Sequence, residues 1–171
     1  SFPYTPVAHP QRFIPDWTFG IQDERMQEIV DRVREEEKPD LVVVISHNGM
    51  DVDLKMASRV SGIDVIFGGH THDGMPAPSI VENPGGKTLV TNAGSNGKFL
   101  GVMDLDVKDG KLRGYQYRLL PVFSNLLPAN PEMAKYIEEV RAPYKDQLEE
   151  GLATAQEVLY RRGNFAGTWD Q

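Results

Sequence analysis

Two short apolar runs, residues 41–45 (Leu-Val-Val-Val-Ile) and 64–67 (Asp-Val-Ile-Phe), lie about one helix apart and constrain the fold more than any other feature of these 171 residues. A continuous β-branched run reads as a strand buried on both faces, the kind found in parallel α/β sheets. Residues 53–60, between the runs, read as a short helix. Strand, helix and strand joined by a right-handed crossover run the two strands parallel, so the segments after Ile45 and Phe67 leave the sheet at one edge. Upstream, Met26, Ile29, Val30 and Val33 fall at i, i+3, i+4 and i+7. That spacing predicts an amphipathic helix over 21–36 whose apolar stripe needs the sheet, and Pro39-Asp40 follows it.

The rest of the chain is organised differently. Pro3, Pro6, Pro10 and Pro15 predict an irregular packed loop over 1–16. Residues 88–92, 100–107 and 111–119 read as antiparallel strands, with turns at Asn83-Pro84-Gly85-Gly86 and Asp109-Gly110. Met133, Ile137, Val140, Tyr144 and Leu148 predict a helix over 131–152, which Pro143 should kink or divide. Such a helix after a completed sheet reads as a linker, with residues 154–160 opening a second domain and Arg161-Arg162-Gly163-Asn164 as its first loop. The chain starts at Ser1 rather than a methionine and stops at Trp169-Asp170-Gln171, so it reads as an excerpt. The lack of a signal peptide then says nothing about location.

Composition narrows the chemistry. Lys plus Arg count 18 against 25 Asp plus Glu, a formal charge of −7 with no basic cluster, which argues against nucleic acid as a partner. The longest apolar stretch, 41–45, is far short of the ~20 residues a membrane helix needs. The chain has no cysteine, which removes disulfides, thiolate zinc sites and cysteine nucleophiles together.

Three of the four histidines, His47, His70 and His72, follow the C-terminal ends of the two parallel strands, where open α/β sheets place their sites. Neutral imidazole suits Zn and Mn class metals. The glycines around Gly68-Gly69-His70-Thr71-His72-Asp73-Gly74 are expected to allow a turn that aims both of its histidines at two neighbouring ions. The three could form one hydrolytic zinc site with water in the fourth position, or half of a two-metal site. Asp51, Asp53 and Asp73 read as a helix cap, a solvated face or turn residues rather than ligands. His9, beside Pro10, reads as a surface or packing residue.

The stretch Ser46-His47-Asn48-Gly49-Met50-Asp51-Val52-Asp53-Leu54-Lys55, followed by Gly69-His70-Thr71-His72-Asp73-Gly74, resembles the calcineurin-like metallophosphoesterases. The resemblance is to their 5′-nucleotidase branch and, within it, to the thiosulfohydrolase family of the bacterial sulfur-oxidation (Sox) pathway. Phe2-Pro3-Tyr4-Thr5, Pro15-Asp16-Trp17-Thr18-Phe19-Gly20 and Arg161-Arg162-Gly163-Asn164-Phe165 extend it over nearly the whole chain. It implies an α/β fold of the α+β sandwich type. Residues 1–122 would be the C-terminal part of a metallophosphoesterase-like domain, 123–153 a linker with its helix, and 154–171 the start of a 5′-nucleotidase-like domain.

The resemblance also implies a periplasmic enzyme with two divalent metal ions, manganese, that hydrolyses the cysteine S-thiosulfonate on the SoxYZ carrier and releases sulfate. By position, His47 and His70 would ligate one ion and His72 the other. The family's Asp-x-His and bridging Asp have no counterpart in these residues, so the excerpt alone is expected to be inactive. The groups that activate water and bind substrate would lie upstream or in the second domain. Sulfonate and phosphate are both tetrahedral anions, so the alternative is a 5′-nucleotidase or cyclic-nucleotide phosphodiesterase. A third reading is a non-catalytic domain that docks a carrier protein.

Overall fold

The computed structural model describes residues 5–159 and is mixed α/β. Sequence readings at residues 2–4 and 160–165 lie outside the described residues. The chain divides into two compact units, Ser1–Leu126 and Leu127–Gln171.

In the first unit, a short helix α1 (Thr5–Ala8) and a 3-10 turn at Gln11–Phe13 punctuate the segment read as irregular. The prolines delimit these turns rather than abolish them. Helix α2 (Asp23–Glu36) leads to strand β1 (Val43–Ile45), helix α3 (Met50–Arg59) and strand β2 (Val65–Gly68). Then come β3 (Ser79–Asn83), β4 (Gly86–Asn92), β5 (Phe99–Lys108) and β6 (Lys111–Pro121). The main sheet runs β1-β2-β4-β3, with β1, β2 and β4 parallel and β3 antiparallel at one edge. β5 and β6 form a separate antiparallel hairpin through Asp109-Gly110, where both residues take positive φ (54° and 67°). That is the backbone of a tight two-residue hairpin turn.

Two sequence readings need correction. β4 belongs to the parallel sheet through its pairing with β2, and its antiparallel partner is β3, a strand masked in the sequence by the nearby Pro76 and Pro78. β1 is not buried on both faces: it is an edge strand, with Val43 44% and Ile45 89% exposed. The helices cover only the face of Val42 and Val44.

The core sits on that helix-covered face. Val30 of α2 and Met56, Ala57 and Val60 of the α3 segment pack against Ile63, Ile66 and Val90. Burying side chains of this size contributes about 1.5–3 kcal/mol each. The opposite end of the sheet is tied by polar groups. Arg34 pairs with Asp64 and donates to the carbonyls of Gly62 (2.9 Å) and Pro39 (3.1 Å), while the Val42 N–H donates to Asp64 Oδ2 (2.7 Å). The buried Thr88 hydroxyl donates to the Ile63 carbonyl at 2.7 Å.

In the second unit, α4 (Pro131–Arg141), a 3-10 turn at Ala142–Tyr144 and α5 (Lys145–Leu148) replace the single helix of the sequence pattern. Pro143 divides it as expected. Asn130 caps α4 by accepting from the Met133 N–H at 2.9 Å.

Ile66→Ala should lower the unfolding free energy by about 2–5 kcal/mol in chemical denaturation, the range for emptying a packed core site. The α2–α3 contact is testable by pH. Arg59 donates to Asp23 at 2.9 Å, and this bond holds the Asp23 carboxyl below its ordinary value of 3.8. A depressed carboxylate stabilises the fold above its ordinary pKa and loses that contribution as the pH falls. In Arg59→Ala the Asp23 midpoint, read by NMR titration, should move up toward the ordinary range.

Candidate metal centre

The parallel strands deliver His47 just past β1 and His70 just past β2, and the two imidazoles meet edge to face with ring centroids 5.2 Å apart. His47 is exposed and His70 half-buried. An ion about 2.1 Å from one nitrogen of each ring, at a near-tetrahedral angle, would set the centroids roughly 5 Å apart. The centroid separation is that of a pair sharing one cation, and edge-to-face packing of two rings gives the same separation. His72 is exposed, and no group of three His, Asp or Glu that could hold a metal assembles among the described residues.

The turn that carries His70 and His72 is made by the histidines themselves. His70 has φ 74° and His72 φ 61°, whereas Gly68, Gly69 and Gly74 are not in the left-handed region. The Thr71 N–H donates to the Gly69 carbonyl at 3.0 Å, closing an i to i+2 turn around His70. With positive φ this is the rarer, strained kind of γ-turn. Left-handed backbone at a residue with a Cβ costs about 1–3 kcal/mol and persists only where the surroundings fix it.

Three contacts fix it. Thr71 Oγ1 accepts from the Met50 N–H at 3.1 Å, at the first turn of α3. The Asp73 carbonyl accepts from the Gly94 N–H (2.8 Å), and the Met75 N–H donates to the Asn92 carbonyl (3.0 Å). The ring of Phe99 closes on the same loop, 3.2 Å from a Cβ placed at Gly74 and 2.9 Å from one at Gly94.

The glycines have a different use from the one read in the sequence. A Cβ at Gly69 would lie 3.2 Å from the Ser46 carbonyl oxygen and 3.3 Å from His47 Nδ1. A Cβ at Gly68 would lie 2.7 Å from Asp53 Oδ2 and 3.3 Å from the Thr91 carbonyl oxygen. They are glycines because the two histidine loops and α3 converge there too tightly for a side chain.

Asp53 is the residue the sequence reading misjudged. It is neither cap nor solvated face: it is fully buried, and its Oδ1 accepts from Ser46 Oγ at 2.5 Å. Burial raises its carboxyl above the ordinary value, with Ser46 and Asn48 hydrogen bonds opposing the shift and the nearby Asp51 charge adding to it. The signal was present, because 53, 56, 57 and 60 share the i, i+3, i+4, i+7 stripe of the α3 segment. Asp51 and Asp73 are exposed, and Asp73 accepts from Thr71 Oγ1 within the loop, as a turn residue does. His9 is exposed beyond α1.

No family model matches the chain. It is 32% identical over 135 residues to the trifunctional nucleotide phosphoesterase YfkN of Bacillus subtilis, covering 77% of this chain and 9% of that protein. It is 32% identical over 149 residues to an apyrase of Tabanus yao, covering 76% and 26%. The solved structure of the sulfate thiohydrolase SoxB of Thermus thermophilus superposes with a TM-score of 0.81 at 38% identity, over 99% of this chain and 30% of that one. A 5′-nucleotidase precursor of Thermus thermophilus superposes with a TM-score of 0.72 at 27% identity, over 82% and 30%. The chain thus spans less than a third of the length of each of these relatives. Among the described residues no helix is long and apolar enough to cross a membrane.

Gly68→Ala should cost about 1–3 kcal/mol in chemical denaturation, the usual range for overpacking. Gly114→Ala, whose Cβ would meet only Asp106 Cβ at 4.0 Å, should stay within about 0.5 kcal/mol of the parent.

Proposed function

Because this chain belongs to the SoxB and 5′-nucleotidase-like metallophosphoesterases, a family of two-metal hydrolases, we propose that it serves as part of a thiosulfohydrolase. Its substrate is the cysteine S-thiosulfonate of the SoxYZ carrier, and its product is sulfate. The observation that carries the reading is the likeness to SoxB, which extends over nearly the whole chain at higher identity than to the 5′-nucleotidase precursor. The location is periplasmic, in keeping with a structural neighbour described as a precursor.

His47 and His70 would hold one divalent cation, and His72 would serve a second. Manganese is the proposed metal. The remaining ligands come from outside these residues, which is why this stretch alone is inactive. Bound cations would supply Lewis acidity toward a tetrahedral anion and toward the attacking water. The chain itself contributes placement: the strained loop around His70 holds its imidazole against that of His47 without further reorganisation. In the reaction, water oxygen bonds to the sulfonyl sulfur while the sulfur–sulfur bond breaks. The bond that breaks joins the sulfonyl sulfur to the sulfane sulfur; sulfate departs with release of one water proton, and the other proton goes to the sulfane sulfur, which stays on the carrier cysteine as a persulfide.

A second reading is hydrolysis of nucleotides, favoured by the nucleotide phosphoesterase and apyrase relatives. A purely carrier-docking domain is the remaining one, and metal content separates it from both enzymes. In the full-length protein, His70→Ala should lower sulfate release from the sulfonated carrier about a hundredfold or more, the scale for losing a preorganised electrostatic element. His9→Ala should leave it unchanged. Equal activity of the two variants would remove the metal assignment, and turnover of a nucleotide but not the carrier would move the function to the second reading.

A further inference from the structure

Asp53 lies beneath the histidine pair without belonging to it. It is 0% exposed, and a buried carboxylate costs several kcal/mol, roughly, unless its oxygens are satisfied. Oδ1 accepts from the Ser46 hydroxyl at 2.5 Å and the Asn48 side chain also favours the charged carboxylate, while Oδ2 is buried with no hydrogen-bond partner among the described residues. An apolar side chain would suit the helix stripe shared with Met56, Ala57 and Val60 better. The carboxylate therefore serves something other than packing.

Its contacts identify what. Ser46 Oγ, which donates to Asp53, also accepts from the Asn48 N–H at 3.2 Å. The residues on both sides of His47 are thereby tied to one carboxylate. Oδ2 faces the other loop, so close to Gly68 that a Cβ there would stand 2.7 Å away. Gly68 leads through Gly69, itself packed on His47, into the strained turn at His70. Met50, three residues before Asp53 on the same helical turn, holds Thr71 through its N–H. One turn of α3 thus grips both histidine loops.

We infer that Asp53 is the positioning residue of the centre: through Ser46 on one side and Gly68 on the other, it sets the separation of His47 and His70. The inference rests on the metal reading above for its purpose, but its geometry concerns the histidine pair alone. Groups that orient metal ligands typically change metal affinity about 10–100-fold when removed.

The test uses the full-length protein with Asp53→Asn, Ser46→Ala and Ser46→Thr, and Val30→Ala on α2 as a core control outside α3 and the loops. Two readouts are taken: the imidazole resonances of His47, His70 and His9 without added metal, and affinity for Mn(II) together with the visible spectrum of bound Co(II). Asp53→Asn and Ser46→Ala should move the His47 and His70 resonances but not His9. They should also weaken metal binding about tenfold or more and alter the Co(II) bands. Ser46→Thr, which keeps the hydroxyl, should restore both. Val30→Ala should lower stability and leave both readouts as in the parent. Unmoved His47 and His70 resonances in Asp53→Asn and Ser46→Ala would overturn the positioning role. A parent protein that binds neither metal, with those resonances still displaced, would retire the metal reading and support the positioning role.

Discussion

Packing of one face of α3 against Ile66 and Val90 underlies everything else in the first unit. Met56, Ala57 and Val60 anchor the helix to the middle of the parallel sheet. That contact fixes the height of its first turn relative to the strand ends. Because β1 and β2 are parallel, both release their chains at the edge where that turn stands. A helix shifted by one residue would turn its side chains about 100° and take Asp53 away from both loops.

The edge gathers several polar and strained features within a few residues of one another. His70 and His72 adopt left-handed backbone, and Asp53 Oδ2, Thr91 Oγ1 and both amide atoms of Asn92 are buried without partners among the described residues. The buried Thr88 hydroxyl, by contrast, is satisfied by Ile63 and Asn83, while the Tyr117 hydroxyl of β6 is also buried without a partner among the described residues. Strain and unpaired polarity gathered beside the two histidines fit a place where structure serves chemistry.

Much of this was legible before any coordinates. The parallel β1–α3–β2 unit, the amphipathic α2, the Asp109-Gly110 hairpin and the break at Pro143 all follow from local pattern. β3 did not, since the prolines at 76 and 78 hide a strand whose pairing with β4 is established through backbone hydrogen bonds rather than side chains. β1 was misread as fully covered because a run of valines looks the same whether one face or both are buried.

Sequence by itself determined which residues could act, since only histidines at two strand ends offered neutral imidazoles to one edge. It could not decide which of them meet. His47 and His70 stand together while His72, two residues on, lies exposed, because the turn between them depends on hydrogen bonds to Met50, Gly94 and Asn92, all distant along the chain. Nor could it separate a solvated Asp53 from a buried one. A carboxylate on an apolar stripe is a contradiction in local terms, and only the convergence of α3 with both loops resolves it, by giving that carboxylate Ser46 to bind and Gly68 to lie against.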